Sequence, residues 1–240
     1  ERIPLTIADA DLDAGTITLV VQAVGKSTRQ MAEELNVGDS LLDLAGPLGK
    51  PTHIANVGSV AVVGGGIGVA PVHPIAQALK AAGNRVIGIL GARTRELIIM
   101  EDEMRRCCDE VLIVTDDGSA GQKGFVTDAL KGLIEAGEPL KQVVAIGPAV
   151  MMKAVSEVTR PYAIETVVSL NTIMIDGTGM CGGCRVLIGG QNKFVCVDGP
   201  EFDGHLVDFD NLISRQRAYA EYERDSLDRY DEESAHNFAG

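Results

Sequence analysis

Hydrophobic and polar positions alternate in two different ways along the chain. Before residue 58 the apolar runs are short and β-rich. Residues 3–8 and TITLVVQAV at 16–24 read as strands, TRQMAEEL at 28–35 reads as a helix after Ser27, and 41–48 returns to the sheet. This predicts an antiparallel β unit over residues 1–57. Glu1, not Met, opens the chain and the first strand has no lead-in, so residues ahead of it are expected.

From Ser59 the pattern becomes strand, helix, strand. VAVVG, RVIGILG and EVLIVTDD are compact apolar runs, and APVHPIAQALKAAG and RELIIMEDEMRRC between them have helical spacing. A helix near 125–136, a strand at Gln142–Ile146, a helix near 149–159 and a strand at 164–170 continue the series. Such alternation predicts a doubly wound parallel sheet of five strands. Its domain is bounded at 58–163.

After Asn171 the texture turns to Gly and Cys, and CRVLIGGQNKFVCV reads as a hairpin turning at GGQN. A module of residues 164–209 is too small to bury much core, so a metal would help to hold it. Residues 210–240 are helical and acidic. Leu212, Ile213, Tyr219, Tyr222, Leu227 and Tyr230 recur through them, which suits either a solvated tail or a subunit contact. The fold class expected is therefore α/β plus β.

Composition narrows the function classes. A net charge of −13 offers no basic face for nucleic acid or for an anionic membrane surface. No apolar run reaches the ~18 residues that span a bilayer, and no signal peptide opens the chain, so a cytoplasmic protein is expected. With 28 Gly and no Trp, backbone turns rather than aromatic anchors shape the binding sites.

Three segments carry chemistry. Gly64, Gly65, Gly66, Ile67, Gly68 and Val69 stand between the strand VAVV and a helix that has Pro71 in its first turn. Glycines there let a backbone approach a pyrophosphate, and the helix start supplies N–H groups. A tight strand-to-helix turn is the competing reading and the spacing is not GxGxxG, but Pro71 early in the helix and the flanking strand and helix favour nucleotide binding. The next two strands end in Gly91, Ala92, Arg93 and in Asp116, Asp117, at the edge where open α/β sheets bind ligands. Either Asp could meet a ribose or make an Asx turn.

The third segment is Asp176, Cys181, Cys184 and Cys196. It has plant-type 2Fe–2S spacing, with Asp in place of the first Cys. Thiolates are soft ligands for iron, and Gly177, Gly179, Gly182 and Gly183 allow a loop to wrap a cluster. The competing readings are zinc held by the three cysteines and an aspartate, and three coincidental cysteines, although zinc sites usually show paired CxxC elements and the iron–sulfur cluster ranks ahead. His53, His73 and His205 read as structural, and no catalytic triad is evident.

In order, RIPLTIAD, VGKST, GPLG, GGGIGVAPV, GAR, TDDGS and the Gly–Cys loop resemble the ferredoxin-NADP reductase-like superfamily over residues 1 to about 205. Within it the chain looks most like the small subunits of NADH-dependent reduced ferredoxin:NADP oxidoreductases, also described as sulfide dehydrogenase subunits. Asp176 favours them over the electron-transfer subunits of dihydroorotate dehydrogenase. The resemblance implies FAD, a 2Fe–2S cluster and NAD(H) as cofactors, and residues 1–57 as part of a flavin-binding β-barrel.

The flavin elements would fall on Arg2, Pro4, Leu5, Thr6 and on Gly25, Lys26, Ser27, Thr28. The nicotinamide nucleotide would meet Gly64–Val69, Gly91–Arg93 and, nearby, Asp116 and Asp117. The family's CGP element falls on Ile146, Gly147, Pro148 and so lacks its thiol. Arg93 and Arg95 could also meet a 2′-phosphate. The implied partners are a larger flavin and 4Fe–4S subunit that binds NADP(H) and, through the complex, ferredoxin. A non-enzymatic regulatory subunit that binds nucleotide and zinc is the reading from another class.

Overall fold

The computed structural model describes the backbone of residues 3–237 and the side chains of residues 3–232; Arg2 lies outside the described residues. The chain opens with strands β1 (Ile7–Asp11) and β2 (Thr16–Leu19), an antiparallel pair, and helix α1 (Lys26–Glu34). The strand expected over 41–48 is absent. Gly46-Pro47 interrupts the run, and Leu41, Leu42 and Leu44 are exposed with no neighbouring strand to cover them.

The main sheet begins at β3 (Ser59–Gly65), followed by a 3-10 turn at Gly66–Gly68 and α2 (Val69–Ala81). Strand β4 (Arg85–Ala92), α3 (Glu101–Cys107), β5 (Glu110–Thr115), β6 (Gln122–Lys123) and α4 (Val126–Glu135) come next. Then β7 (Leu140–Ile146), α5 (Ala149–Thr159) and β8 (Glu165–Ser169) complete the parallel run.

The helix expected over Arg95–Cys107 is broken. A 3-10 turn at Arg95–Leu97 is separated from α3 by Met100 in the left-handed region, φ 53°. The helix starts instead where Glu101, Asp102 and Glu103 can face its positive end.

The cluster module contributes β9 (Arg185–Ile188), β10 (Gln191–Phe194), the helical turn α6 (Val195–Asp198) and β11 (Glu201–Asp203). Its hairpin turns on Gly189 and Gly190, with φ 56° and 76°, values that a two-residue type I′ turn requires. The second arm stops at Phe194, so Cys196 sits on α6 and not on the strand expected there.

Strand order in the sheet is β11-β8-β7-β3-β4-β5-β6, seven strands where five were expected. The two extra ones are edges of two and three residues, too short to show a period: β6 is parallel to β5, and β11 is antiparallel to β8.

Both faces of the sheet are buried, as a parallel sheet requires. Val60 and Val62 face α2 and α3, while Ala61 and Val63 face α4 and α5. The second face runs on without a break into Cys184, Val186, Val195 and Cys196 of the cluster module. Helix α7 (Phe209–Gln216) closes that layer. Its N-cap Asp208 accepts a hydrogen bond from Asn211 N at 3.0 Å, Phe209 and Leu212 are buried, and Asp210 pairs with Lys153 of α5 at 2.7 Å. Helix α8 (Ala220–Asn237) follows and returns to α1, where Tyr230 donates to Glu33. Among the described residues no helix is long and apolar enough to cross a membrane.

Leu212 is 1% exposed in this shared layer, so Leu212→Ala is expected to cost about 2–5 kcal/mol. Urea denaturation followed by circular dichroism would read the loss as a lowered midpoint.

Candidate functional site

Strand β3 is the point at which the sheet changes direction. Strands β4, β5 and β6 extend to one side of it and β7 and β8 to the other, which leaves a crevice at the carboxyl ends of β3 and β7. Gly64–Val69 and Gly147–Pro148 form its two lips. A Cβ on Gly68 would lie 2.1 Å from Ile146 O, so there the two backbones meet where any side chain would part them; one on Gly65 would lie 2.4 Å from the Met151 Sδ. Val69 begins α2 with no side chain capping it and no acidic residue in its first turn. Its amide end is therefore electropositive.

The neighbouring loops are stitched to the same edge. A Cβ on Gly91 would meet Val126 Cγ1 at 2.3 Å. Asp116 N donates to Ala92 O at 3.1 Å, and Asp117 N to Arg93 O at 3.3 Å. The structure thus gathers Gly64–Val69, Gly91–Arg93, Asp116, Asp117 and Gly147–Pro148 along one rim. Asp117 Oδ1 accepts from Ser119 N at 2.9 Å and Ser119 Oγ at 2.6 Å, and those bonds hold its carboxyl below the usual range. Asp117 makes the Asx-type turn, and Asp116 is exposed beside it. Arg95 N donates to Ser119 Oγ at 2.8 Å, and the Arg95 guanidinium pairs with Glu101, so Arg95 is held among protein groups.

The other predicted segment lies on the β unit. Pro4, Leu5 and Thr6 lead into β1, and Gly25 caps α1 ahead of Lys26, Ser27 and Thr28. Thr28 Oγ1 accepts from Val24 N at 3.1 Å and Gly25 N at 3.0 Å, which fixes that turn. The β unit docks on the sheet domain through Ala8 O, 3.0 Å from Nδ1 of buried His73.

The Gly–Cys loop is organised by hydrogen bonds to its donor atoms. Asp176 Oδ2 accepts from Thr178 N at 2.9 Å, Thr178 Oγ1 at 2.8 Å and Met180 N at 3.1 Å. N–H groups of Gly183 and Asp176 face the exposed Cys181 thiol and hold it below the usual thiol range. Cys184 and Cys196 are buried with their sulfurs 3.2 Å apart, and Cys196 N donates to Cys184 Sγ at 3.5 Å. Burial, then the Cys184 thiol, pushes Cys196 up to about 11.

The donors thus fall into two pairs, Asp176 with Cys181 and Cys184 with Cys196. Among the described residues no group of three Cys, His, Asp or Glu is placed to hold one metal ion. Paired donors among sulfur-directed N–H groups fit a binuclear cluster, each iron taking two protein ligands, better than one tetrahedral zinc. Cys107 and Cys108 pack on the opposite face of the sheet and His205 binds Thr159, so neither belongs to this loop.

Sequence reasoning missed three contributors. Arg185 Nη1 donates to Gly182 O at 3.2 Å and Arg215 Nη2 to Gly183 O at 3.1 Å. The third is the GPLG segment: a Cβ on Gly177 would lie 3.2 Å from Leu48 Cδ1, and Lys50 N donates to Gly199 O at 2.6 Å. Neither arginine stands in a motif; only the GPLG string gave a signal, and it pointed to no contact.

Residues 62–157 match the oxidoreductase NAD-binding domain family, and residues 171–208 match the iron-sulfur cluster binding domain of dihydroorotate dehydrogenase B. The chain is 50% identical over 230 residues, 96% of its length and 80% of the relative's, to a dihydroorotate dehydrogenase B (NAD(+)) electron transfer subunit homolog of Thermotoga maritima. It belongs to the family of dihydroorotate dehydrogenase B electron-transfer subunits and their homologs. The subunit of Bacillus mycoides is 34% identical over 209 residues, covering 84% of this chain and 78% of its own length.

Among solved structures, a chain of the NADH-dependent reduced ferredoxin-NADP oxidoreductase, described for flavin-based electron bifurcation, matches with TM-score 0.89 and 48% identity, over 96% of this chain and 82% of that one. The family places the chain among nicotinamide-nucleotide-dependent oxidoreductase subunits, with an NAD-binding domain, an iron–sulfur cluster domain and a reductase fold that accommodates flavin.

A Cβ at Gly68 meets a backbone oxygen, which cannot swing aside. Gly68→Ala is therefore expected to lower stability by about 1–3 kcal/mol, read from the shift of the thermal or urea midpoint.

Proposed function

We propose that this chain moves electrons between NAD(H), FAD and a 2Fe–2S cluster as the small subunit of an NADH-dependent reduced ferredoxin:NADP oxidoreductase that bifurcates electrons. The observation that carries this reading is the likeness to a chain of that enzyme over 96% of this chain and 82% of that one, joined to an aspartate at the first cluster position. Identity to the Bacillus dihydroorotate dehydrogenase subunit is lower by a wide margin, although the Thermotoga homolog carries the dihydroorotate dehydrogenase name.

When bound, the flavin exchanges a hydride with nicotinamide and the cluster carries single electrons. The chain's residues do the positioning. Gly64–Val69 and the α2 amide end receive the pyrophosphate, while Gly91–Arg93, Asp116 and Gly147–Pro148 bound the rest of the nucleotide crevice. Pro4, Leu5, Thr6 and Gly25–Thr28 hold the flavin and its phosphates, with Arg2 assigned to the same site by family resemblance. Asp176, Cys181, Cys184 and Cys196 hold the cluster, within a module taken as residues 164–209. A larger flavin and 4Fe–4S subunit and, through it, ferredoxin are the proposed partners of a complex working in the cytoplasm.

The test is the iron, sulfide, zinc and flavin content of the purified protein, with assays of its complex. About two irons and one FAD per chain, with NADH- and ferredoxin-dependent reduction of NADP, are the expected outcome. Dihydroorotate-dependent reduction of NAD would move the chain to the other enzyme, and zinc without iron or flavin would overturn the electron-transfer reading. Asp176→Cys replaces a hard oxygen by a soft thiolate; it is expected to retain about two irons and to shift the visible spectrum.

A further inference from the structure

The segment between Cys181 and Cys184 is held from outside by two guanidinium groups. Arg185 Nη1 donates to Gly182 O at 3.2 Å, and Arg215 Nη2 donates to Gly183 O at 3.1 Å. A trans peptide is planar and carries its C=O and N–H on opposite sides. Pinning each carbonyl outward therefore turns the following N–H inward.

The first of these peptides shows the consequence directly: with Gly182 O held by Arg185, Gly183 N donates to Cys181 Sγ at 3.4 Å. The second peptide follows the same rule. With Gly183 O held by Arg215, the N–H of Cys184 is turned to the side away from the guanidinium.

Arg215 reaches this position from α7, outside the Gly–Cys loop. The helix is fixed by the Asp208 cap, by Lys153 on Asp210 and by Gln216 Nε2, which donates to Asn171 O at 2.6 Å at the entrance of the loop. The side chain is half-buried, so its charge is screened less than that of a cation standing free in water.

We propose that Arg215 is a positioning residue for the iron–sulfur centre: by holding Gly183 O it aims the Cys184 N–H at the cluster's sulfur, and with its charge it raises the reduction potential. This rests on the assignment of the loop as a 2Fe–2S site. Hydrogen bonds to sulfur and nearby positive charge both favour the reduced, more negative cluster. Arginine suits the task because its fork stays charged and directional, whereas lysine is a mobile point charge.

The experiment is a redox titration of the full chain carrying its cluster, followed by electron paramagnetic resonance, on the unaltered protein and on R215M, R215K, R215Q and R217M. Iron and sulfide are assayed on every sample. R215M is expected to keep its iron and to lose about tenfold in the one-electron reduction equilibrium, which is ~59 mV to lower potential, with altered g-values. R215K is expected to recover part of the shift.

R217M removes an exposed cation from the end of the same helix and is expected to leave the potential in place. If R215M fails to hold iron, R215Q tests the charge alone, since it keeps a donor but no charge, and its potential is still expected to fall. An unmoved potential and spectrum in iron-replete R215M, or in iron-replete R215Q where R215M loses its iron, would overturn the proposal, as would an equal fall in R217M. Absence of iron from the unaltered chain would instead overturn the cluster assignment beneath it.

Discussion

The close approach of two backbones at the head of the sheet is the constraint on which the nucleotide edge depends. Gly68 lies so near Ile146 O, and Gly65 so near Pro148 and Met151, that β3 and β7 can run side by side while their following helices leave on opposite faces. Every other loop on that rim takes its place from this one. Strand β4 lies next to β3 in register, with Gly91 opposite Gly65, and β5 is carried along by β4, which sets Asp116 and Asp117 against Ala92 and Arg93. A ligand meeting this edge therefore finds backbone amides and glycines where side chains would normally stand.

The cluster module has no core of its own. Its buried residues, Cys184, Val186, Val195 and Cys196, belong to the same apolar layer as α4 and α5, and Phe209 and Leu212 of α7 seal it. Two of the three thiols are thus placed by the hydrophobic packing of the whole sheet domain, and the third, Cys181, by a glycine loop in which Gly177, Gly179 and Gly182 have positive φ. This division explains how a module of a few dozen residues can hold a site in place: the buried pair is packed into the layer of the sheet, and only half-buried Asp176 and exposed Cys181 depend on local turns.

Much of this was legible in the chain because the signals were long or exclusive. Strands β3, β4, β5 and β7 are continuous apolar runs closed by Gly, Thr or Asp, and a buried parallel strand has few other ways to look. The Asp176 to Cys196 spacing was legible because few chemistries need three clustered thiols beside glycines. Strands β6 and β11 were not, since Gln122–Lys123 and Glu201–Asp203 are edge pieces defined by their neighbours and not by their own composition. The break at Met100 was hidden because RELIIMEDEMRRC keeps helical spacing across it. Arg185 and Arg215 were invisible for a different reason: what they hold is a carbonyl, and every residue has one.

The β unit and the cluster module are coupled more tightly than their separation along the chain suggests. Within GPLG and the three residues after it, Leu48 rests against Gly177 of the loop, Lys50 N donates to Gly199 O, and Thr52 Oγ1 donates to Glu201 at 2.5 Å. Burial raises the Glu201 carboxyl above its ordinary range and the Thr52 hydrogen bond opposes that shift, so this contact is made at the expense of exposing the carboxylate to water. A linker with one such tie would let the two units swing. Three ties in succession leave residues 48–52 little freedom, so the chain that leaves the β unit is fastened to the cysteine-bearing module before it enters β3.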